Sequence, residues 1–177
     1  LKVTHNNTNY FTNNLGVVVL PSNSGNATYY LEGVYSEVRT NGNVPSFNAP
    51  ASNNNVLFDN TNSTIQERTA FYSVNNIHTH FKNQFPNFTG LDFALETNVD
   101  DQTDDCNAFY SGGWGGSPPS INFYAEGGGC QATAKIPDVA SFSEQGSTNG
   151  EPLSSDKTTV CDSVVFQSLN ERSQPIP

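Results

Sequence analysis

The chain is poor in basic residues. Lys and Arg together number 7 against 17 Asp and Glu, for a formal charge of -10 over 177 residues. Nucleic-acid backbones are held by clustered Lys and Arg, so this balance argues against a nucleic-acid partner. Long apolar runs are also missing: none approaches the roughly 18 residues of a spanning helix, so no membrane span is expected. The sequence as given, beginning at Leu1, shows no signal-peptide pattern. It holds no Gly-x-Ser-x-Gly elbow and no dinucleotide fingerprint, and Gly112–Gly116 lacks the lysine and following helix of a phosphate loop. Charged residues are only 14%, so the polarity comes mainly from Asn, Ser, Thr and Gly, the composition of a strand-rich domain with many turns. Aromatics at 11%, with 12 Phe and 7 Tyr, argue against a disordered chain. A chain of this length fits one domain able to bury about 70% of its unfolded surface.

Cysteine is scarce and odd in number, with three in all. Asp105-Cys106-Asn107-Ala108-Phe109-Tyr110 and Ile121-Asn122-Phe123-Tyr124 read as two paired strands around a glycine-rich arm, and Glu126-Gly127-Gly128-Gly129-Cys130 follows as a turn. Cys106 and Cys130 are placed to staple that unit, the alternative being two buried thiols. Cys161 is left over, free or available for an intermolecular bond. Asn-x-Ser/Thr acceptors stand at Asn6, Asn26, Asn62 and Asn87, which fits a secreted, extracellular protein.

Earlier in the chain, Gly16-Val17-Val18-Val19-Leu20 predicts a short strand ended by Pro21 and Asn23-Ser24-Gly25. Residues Thr28–Arg39 alternate imperfectly and predict one long strand, bent near Gly33 and paired with Val17–Leu20. The stretch from Asn41 to Asn55 reads as a surface loop. One helix is strongly signalled over about residues 64–83. Both Ser63-x-x-Gln66 and Thr64-x-x-Glu67 match the capping-box spacing, Ala70, Phe71, Val74, Ile77 and Phe81 form an apolar stripe, and Phe85-Pro86 ends it.

His78 and His80 lie near the end of that helix. Side chains two positions apart on a helix point about 200° from one another, so the pair does not share an ion. One histidine then flanks the apolar stripe and the other is solvated. Leu91–Thr97 reads as a strand leading into Asp100, Asp101, Asp104 and Asp105. Such close-spaced hard oxygen ligands read either as solvated turn acids or as a calcium site, without the EF-hand pattern.

Asn107-Ala108-Phe109 followed by an aromatic resembles the edge strand that lines the cleft of thermolysin-like and fungalysin-like secreted zinc metallopeptidases. The helix 64–82, the strands near 91–96, 107–110 and 121–124, and Pro137-Asp138-Val139 follow one another as in the amino-terminal half of such a catalytic domain. The resemblance implies an α+β fold, an antiparallel, β-rich lobe over residues 1–139 with one long amphipathic helix, and does not extend to the N-terminal extreme or the tail. Residues 140–177 read as a divergent polar tail, either with a final strand around Thr158–Gln167 or as a segment that fills the missing lobe's place. The resemblance further implies an extended peptide laid against Asn107 and Ala108, with Phe109 and Tyr110 beside them on the strand. The glycine arm 111–120 is longer than the turn usual in that family, and Trp114, mid-arm among glycines, reads as an exposed contact residue.

The family continues after Asp-Val with His-Glu-x-x-His, whose histidines bind zinc from one helix face. Here the matching positions are Phe142-Ser143-Glu144-Gln145-Gly146, and no histidine follows His80. Zinc is therefore not expected, no catalytic residue is assigned, and calcium at the aspartates is the one candidate cofactor. The expected function is that of a non-catalytic metallopeptidase-like module that binds an extended peptide or another protein strand, itself included, by β-augmentation. Two alternatives stay open: part of an active zinc metallopeptidase whose zinc helix is supplied elsewhere, and an adhesive or carbohydrate-binding β-domain using Trp114 and the tyrosines.

Overall fold

The computed structural model describes residues 1–53, 55–113 and 115–135. Trp114, Asp138-Val139, the expected strand around 158–167, Cys161 and the boundary at 139/140 lie outside the described residues. Within them the fold is α+β and rich in strand, with two four-stranded sheets and one long helix.

The first sheet is antiparallel throughout. It is built from β1 (Lys2–His5), β2 (Thr8–Phe11), β3 (Asn26–Tyr30) and β5 (Ser46–Pro50), in the order β2-β1-β3-β5. β1 and β2 form a hairpin whose turn residues Asn6 and Asn7 have φ of 50° and 59°, the left-handed geometry that Asn tolerates and that a two-residue hairpin turn requires. The second sheet comprises β4 (Ser36–Thr40), β6 (Leu95–Asp105), β7 (Ala108–Ser111) and β8 (Ser120–Ala125), in the order β4-β6-β8-β7. Here β4, β6 and β8 run parallel and β7 returns antiparallel. Parallel neighbours need a crossover connection, and the helix supplies it between β4 and β6.

That helix, α1 (Ile65–Gln84), starts at Thr64. The Thr64 hydroxyl accepts from the Glu67 N–H at 3.2 Å, and a Glu67 carboxylate oxygen accepts from the Thr64 N–H at 2.7 Å, so of the two spacings in the sequence the second forms the box. The other Glu67 oxygen accepts from the Thr40 hydroxyl at 2.6 Å, which fastens the helix start to β4. Ala70, Phe71 and Val74 are buried, as the stripe predicts.

One core joins both sheets and the helix. Val3, Ala27 and Tyr29 reach it from the first sheet, Leu31 from the bend after β3, Val38, Val99 and Phe123 from the second sheet, and Phe58, fully buried, joins them. Phe47 bridges Tyr29 and Phe58, with ring centroids 5.7 and 4.9 Å away. Burying an aromatic of this size stabilises by about 2–3 kcal/mol before packing gains, so Phe58 is a keystone of the fold.

Four expectations are corrected. Gly16–Leu20 is not a strand: Val18 and Leu20 do turn toward the core, but Val17 and Val19 are exposed and the segment pairs with no strand among the described residues. Thr28–Arg39 is two strands, β3 and β4, in different sheets. The chain reverses between them through a tight bend in which the Gly33 N–H donates to the Ser36 carbonyl at 2.7 Å. A Cβ on Gly33 would stand 3.4 Å from the Phe71 ring, so a small residue lets the bend close over the helix. The loop from Asn41 to Asn55 contains β5, in which Ala49, partly buried, packs against the core while Asn48 pairs outward with Thr28. Finally, β6 begins at Leu95 rather than Leu91 and runs on through Asp105, so the aspartates lie on a strand and not in a turn.

Candidate functional edge strand

The open edge of the second sheet is β7. On the opposite side, β4 is closed off by its own flanks, since Glu32 bridges to Glu37, the Val38 N–H donates to the Leu31 carbonyl at 3.1 Å, and Thr40 bridges to Asn43. Among the described residues no strand pairs with the outer side of β7. An exposed strand edge offers unpaired N–H and C=O groups to any extended chain.

Register decides which groups those are. The Asn107 carbonyl accepts from the Tyr124 N–H at 3.2 Å, and Ala108, Phe109, Tyr110 and Ser111 stand opposite Phe123, Asn122, Ile121 and Ser120. Bonded pairs alternate in an antiparallel ladder, so Phe109 and Ser111 are spent on β8 while Ala108 and Tyr110 turn their backbone groups outward. The outward Ala108 N–H is held by the Asn107 side-chain oxygen at 2.8 Å. An arriving strand that takes this N–H must displace the Asn107 carboxamide, whereas the Tyr110 N–H needs no such exchange.

The expected contact residues Asn107, Ala108, Phe109 and Tyr110 thus lie together along one edge. Ala108 packs against the core, Phe109 is 42% exposed with its ring 5.6 Å from that of Tyr124, and Tyr110 is 65% exposed. The strand is anchored at its start. Cys106, with φ of 61°, is disulfide-bonded to Cys130 with Cα atoms 5.2 Å apart. The Thr133 hydroxyl sits between the carbonyls of Asn107 and Tyr124, at 2.9 and 3.1 Å. Beyond the bridge, Asp105 packs its carboxylate against the glycine turn. A Cβ on Gly128, where φ is 52°, would press on the Asp105 carboxylate, and the left-handed backbone there favours glycine.

The four aspartates are spread along β6 by its irregular register. Asp100 (φ 56°) lies at a bulge facing α1, where burial first and the nearby Glu67 carboxylate second push its carboxyl above the ordinary value, against the opposing pull of Lys135 and a Gln66 hydrogen bond. Asp101 accepts from the N–H and hydroxyl of Thr103, and Asp104 from the N–H of Asp105. Among the described residues no group of three or more His, Cys, Asp or Glu converges as a metal set would.

A second feature of this sheet is its polar face. Glu37 and Arg39 of β4, Glu96 and Asn98 of β6, and Ser120 and Asn122 of β8 fall on the side away from the helix. They link in sequence: Arg39 pairs with Glu37 and, at 3.4 Å, with Glu96. Asn98 donates to Glu96 at 3.0 Å and to Asn122 at 2.9 Å, and Asn122 donates to Ser120 at 3.1 Å. Sequence reasoning passed over this network, although its signal, a polar residue at every second position of three strands, was present. It links β4, β6 and β8, the last of which pairs with β7.

His78 and His80 separate as geometry requires. His78 is buried, its ring stacked 3.5 Å from that of Tyr35, and His80 is exposed.

The fold is a strand-rich α+β module in which, among the described residues, the β7 edge of the second sheet is open and anchored by a disulfide. Comparison with protein-family models, curated proteins and solved structures finds no match for this chain in any of the three.

Proposed function

We propose that this protein is an extracellular, non-catalytic module that binds an extended peptide or another protein strand, a second copy of itself included, by adding it to β7. The observation that supports this reading is the asymmetry of the second sheet, whose β4 side is closed by local bridges while its β7 side, among the described residues, is open and anchored by Cys106–Cys130. Backbone pairing at Ala108 and Tyr110 supplies affinity, and Phe109 beside Tyr124 supplies an aromatic surface for one side chain of the arriving strand.

The test uses Tyr110→Pro. Proline is tolerated on an edge strand when its N–H faces outward, so the variant removes one docking donor and leaves the β8 ladder intact. Light scattering at high concentration and amide shifts of Ala108 and Tyr110 on titration with extended peptide mixtures read the outcome. Wild type associates or shifts and the variant does neither. A wild type that stays monomeric and shows no shift at β7 overturns the proposal.

A second reading, as part of an active zinc peptidase completed from elsewhere, draws on the order α1, β6, β7, β8, which is the order that the family resemblance implies. Stoichiometric zinc and peptide cleavage abolished by chelation would favour it over the binding module.

A further inference from the structure

Four positions carry the Asn-x-Ser/Thr motif, and the fold treats them unequally. Asn6 stands in the β1–β2 turn, exposed together with Asn7 and Thr8. Asn26 opens β3, exposed, on the face opposite the buried Ala27 and Tyr29. Asn87 follows Pro86 in the turn after α1, with Phe88 and Thr89 exposed beside it. Asn62 also lies in a turn but is half-buried, with its side chain engaged. Its Nδ2 donates to the Leu57 carbonyl at 2.9 Å, its Oδ1 accepts from the Asp59 N–H at 3.0 Å, and the hydroxyl of its partner Thr64 is held in the helix cap. The loop around it is pinned by Arg68, 1% exposed, whose guanidinium donates to the Ser63 carbonyl and to Asn60.

We infer that Asn6, Asn26 and Asn87 are N-glycosylation sites of this protein and that Asn62, despite the same motif, is not. The chemistry is transfer from a lipid-pyrophosphate-linked oligosaccharide. The bond between Asn Nδ2 and the first sugar carbon forms, the bond from that carbon to the pyrophosphate oxygen breaks, one Nδ2 proton is lost, and the lipid pyrophosphate leaves. Transfer acts on the extended chain, so the fold serves as a filter. A glycan on Nδ2 of Asn62 would crowd the Leu57 carbonyl that this nitrogen donates to, inside the loop that Arg68 pins through Ser63 and Asn60, and a chain so modified cannot close its helix start.

The arrangement bears on the two sheets differently. Asn6 lies two residues before Thr8, the first residue of β2, and β2 is an outer strand of the first sheet. A glycan there shields that edge, and bulky edge protection is a recognised defence against strand pairing. None of the three open sites belongs to β6, β7 or β8. The glycans therefore leave β7 uncovered.

The inference rests on the extracellular reading for its route, so the experiment supplies that route. The full chain is expressed behind a secretory leader in a eukaryotic host, and the secreted protein is treated with a glycan-releasing amidase in heavy-oxygen water before peptide mapping. Labelled aspartate at positions 6, 26 or 87 with position 62 unlabelled supports the proposal. Label at 62, or none at the three open sites, overturns it. As a second measurement, Asn62→Gln lowers the melting temperature of unglycosylated protein and Asn87→Gln leaves it unchanged; equal melting of the two variants overturns the distinction. Neither readout depends on peptide binding at β7.

Discussion

His78 Nε2 stands 2.9 Å from Asp92 Oδ1, and this contact ties the C-terminal half of α1 to the segment that leads into β6. Lys82 holds the other Asp92 oxygen at 2.9 Å. The bond from His78 first, and that from Lys82 second, keep the Asp92 carboxyl below its ordinary 3.8. Because the folded value is depressed, the stabilisation is present above the unfolded value and is lost as pH falls through the folded one. Thermal melts should show wild type losing more stability than Asp92→Asn between about pH 7 and pH 3; equal losses would count against the linkage.

Asp100 works in the opposite direction. Its carboxyl is raised by burial and by Glu67, so the folded state favours its protonated form, and the strain on the ionised form sets in as pH rises through the folded value. Asp100→Asn removes the charge, keeps the shape and suits the positive φ of 56°. The variant is expected to melt higher than wild type near pH 7 and to match it near pH 3, where both carry no charge there.

The Thr64 cap can be removed alone. Thr64→Ala leaves the Glu67 N–H without its acceptor and should lower unfolding free energy by about 1 kcal/mol, with Thr64→Ser restoring most of it. Urea midpoints at constant slope provide the measure.

The Cys106–Cys130 bridge spans a sequence separation of 24. Replacing both cysteines by Ser should lower stability by about 3 kcal/mol through the freed unfolded chain. It should also speed hydrogen exchange at the Tyr124 amide, which donates to Asn107 at the start of β7. Unchanged exchange there would mean that Thr133 alone fixes the strand.

Much of this fold was legible because its signals are local. The α1 boundaries follow from a cap three residues from its Glu partner and from a proline stop, and the β7–β8 hairpin follows from aromatic alternation around a glycine arm. The polar stripe on β4, β6 and β8 was equally local but is meaningless until register brings Arg39, Asn98 and Asn122 into one row. Arg68 shows the limit most sharply. A charged residue in an amphipathic helix reads as solvated, and only the fold of residues 59–63 gives its guanidinium carbonyl and amide partners.

By itself the sequence determined the helix and its stop, the paired strands of the cysteine-stapled unit, and the separation of His78 from His80, because each depends on residues within a few positions or on a fixed helical angle. Tertiary structure alone decided that Thr28–Arg39 divides between two sheets, that the aspartates ride on β6, and that β4 at the far side of the second sheet is closed by its own flanks. Those outcomes depend on which strands pair across long stretches of chain, and pairing is settled by the shared core of Val3, Phe58, Val99 and Phe123, which no local pattern contains.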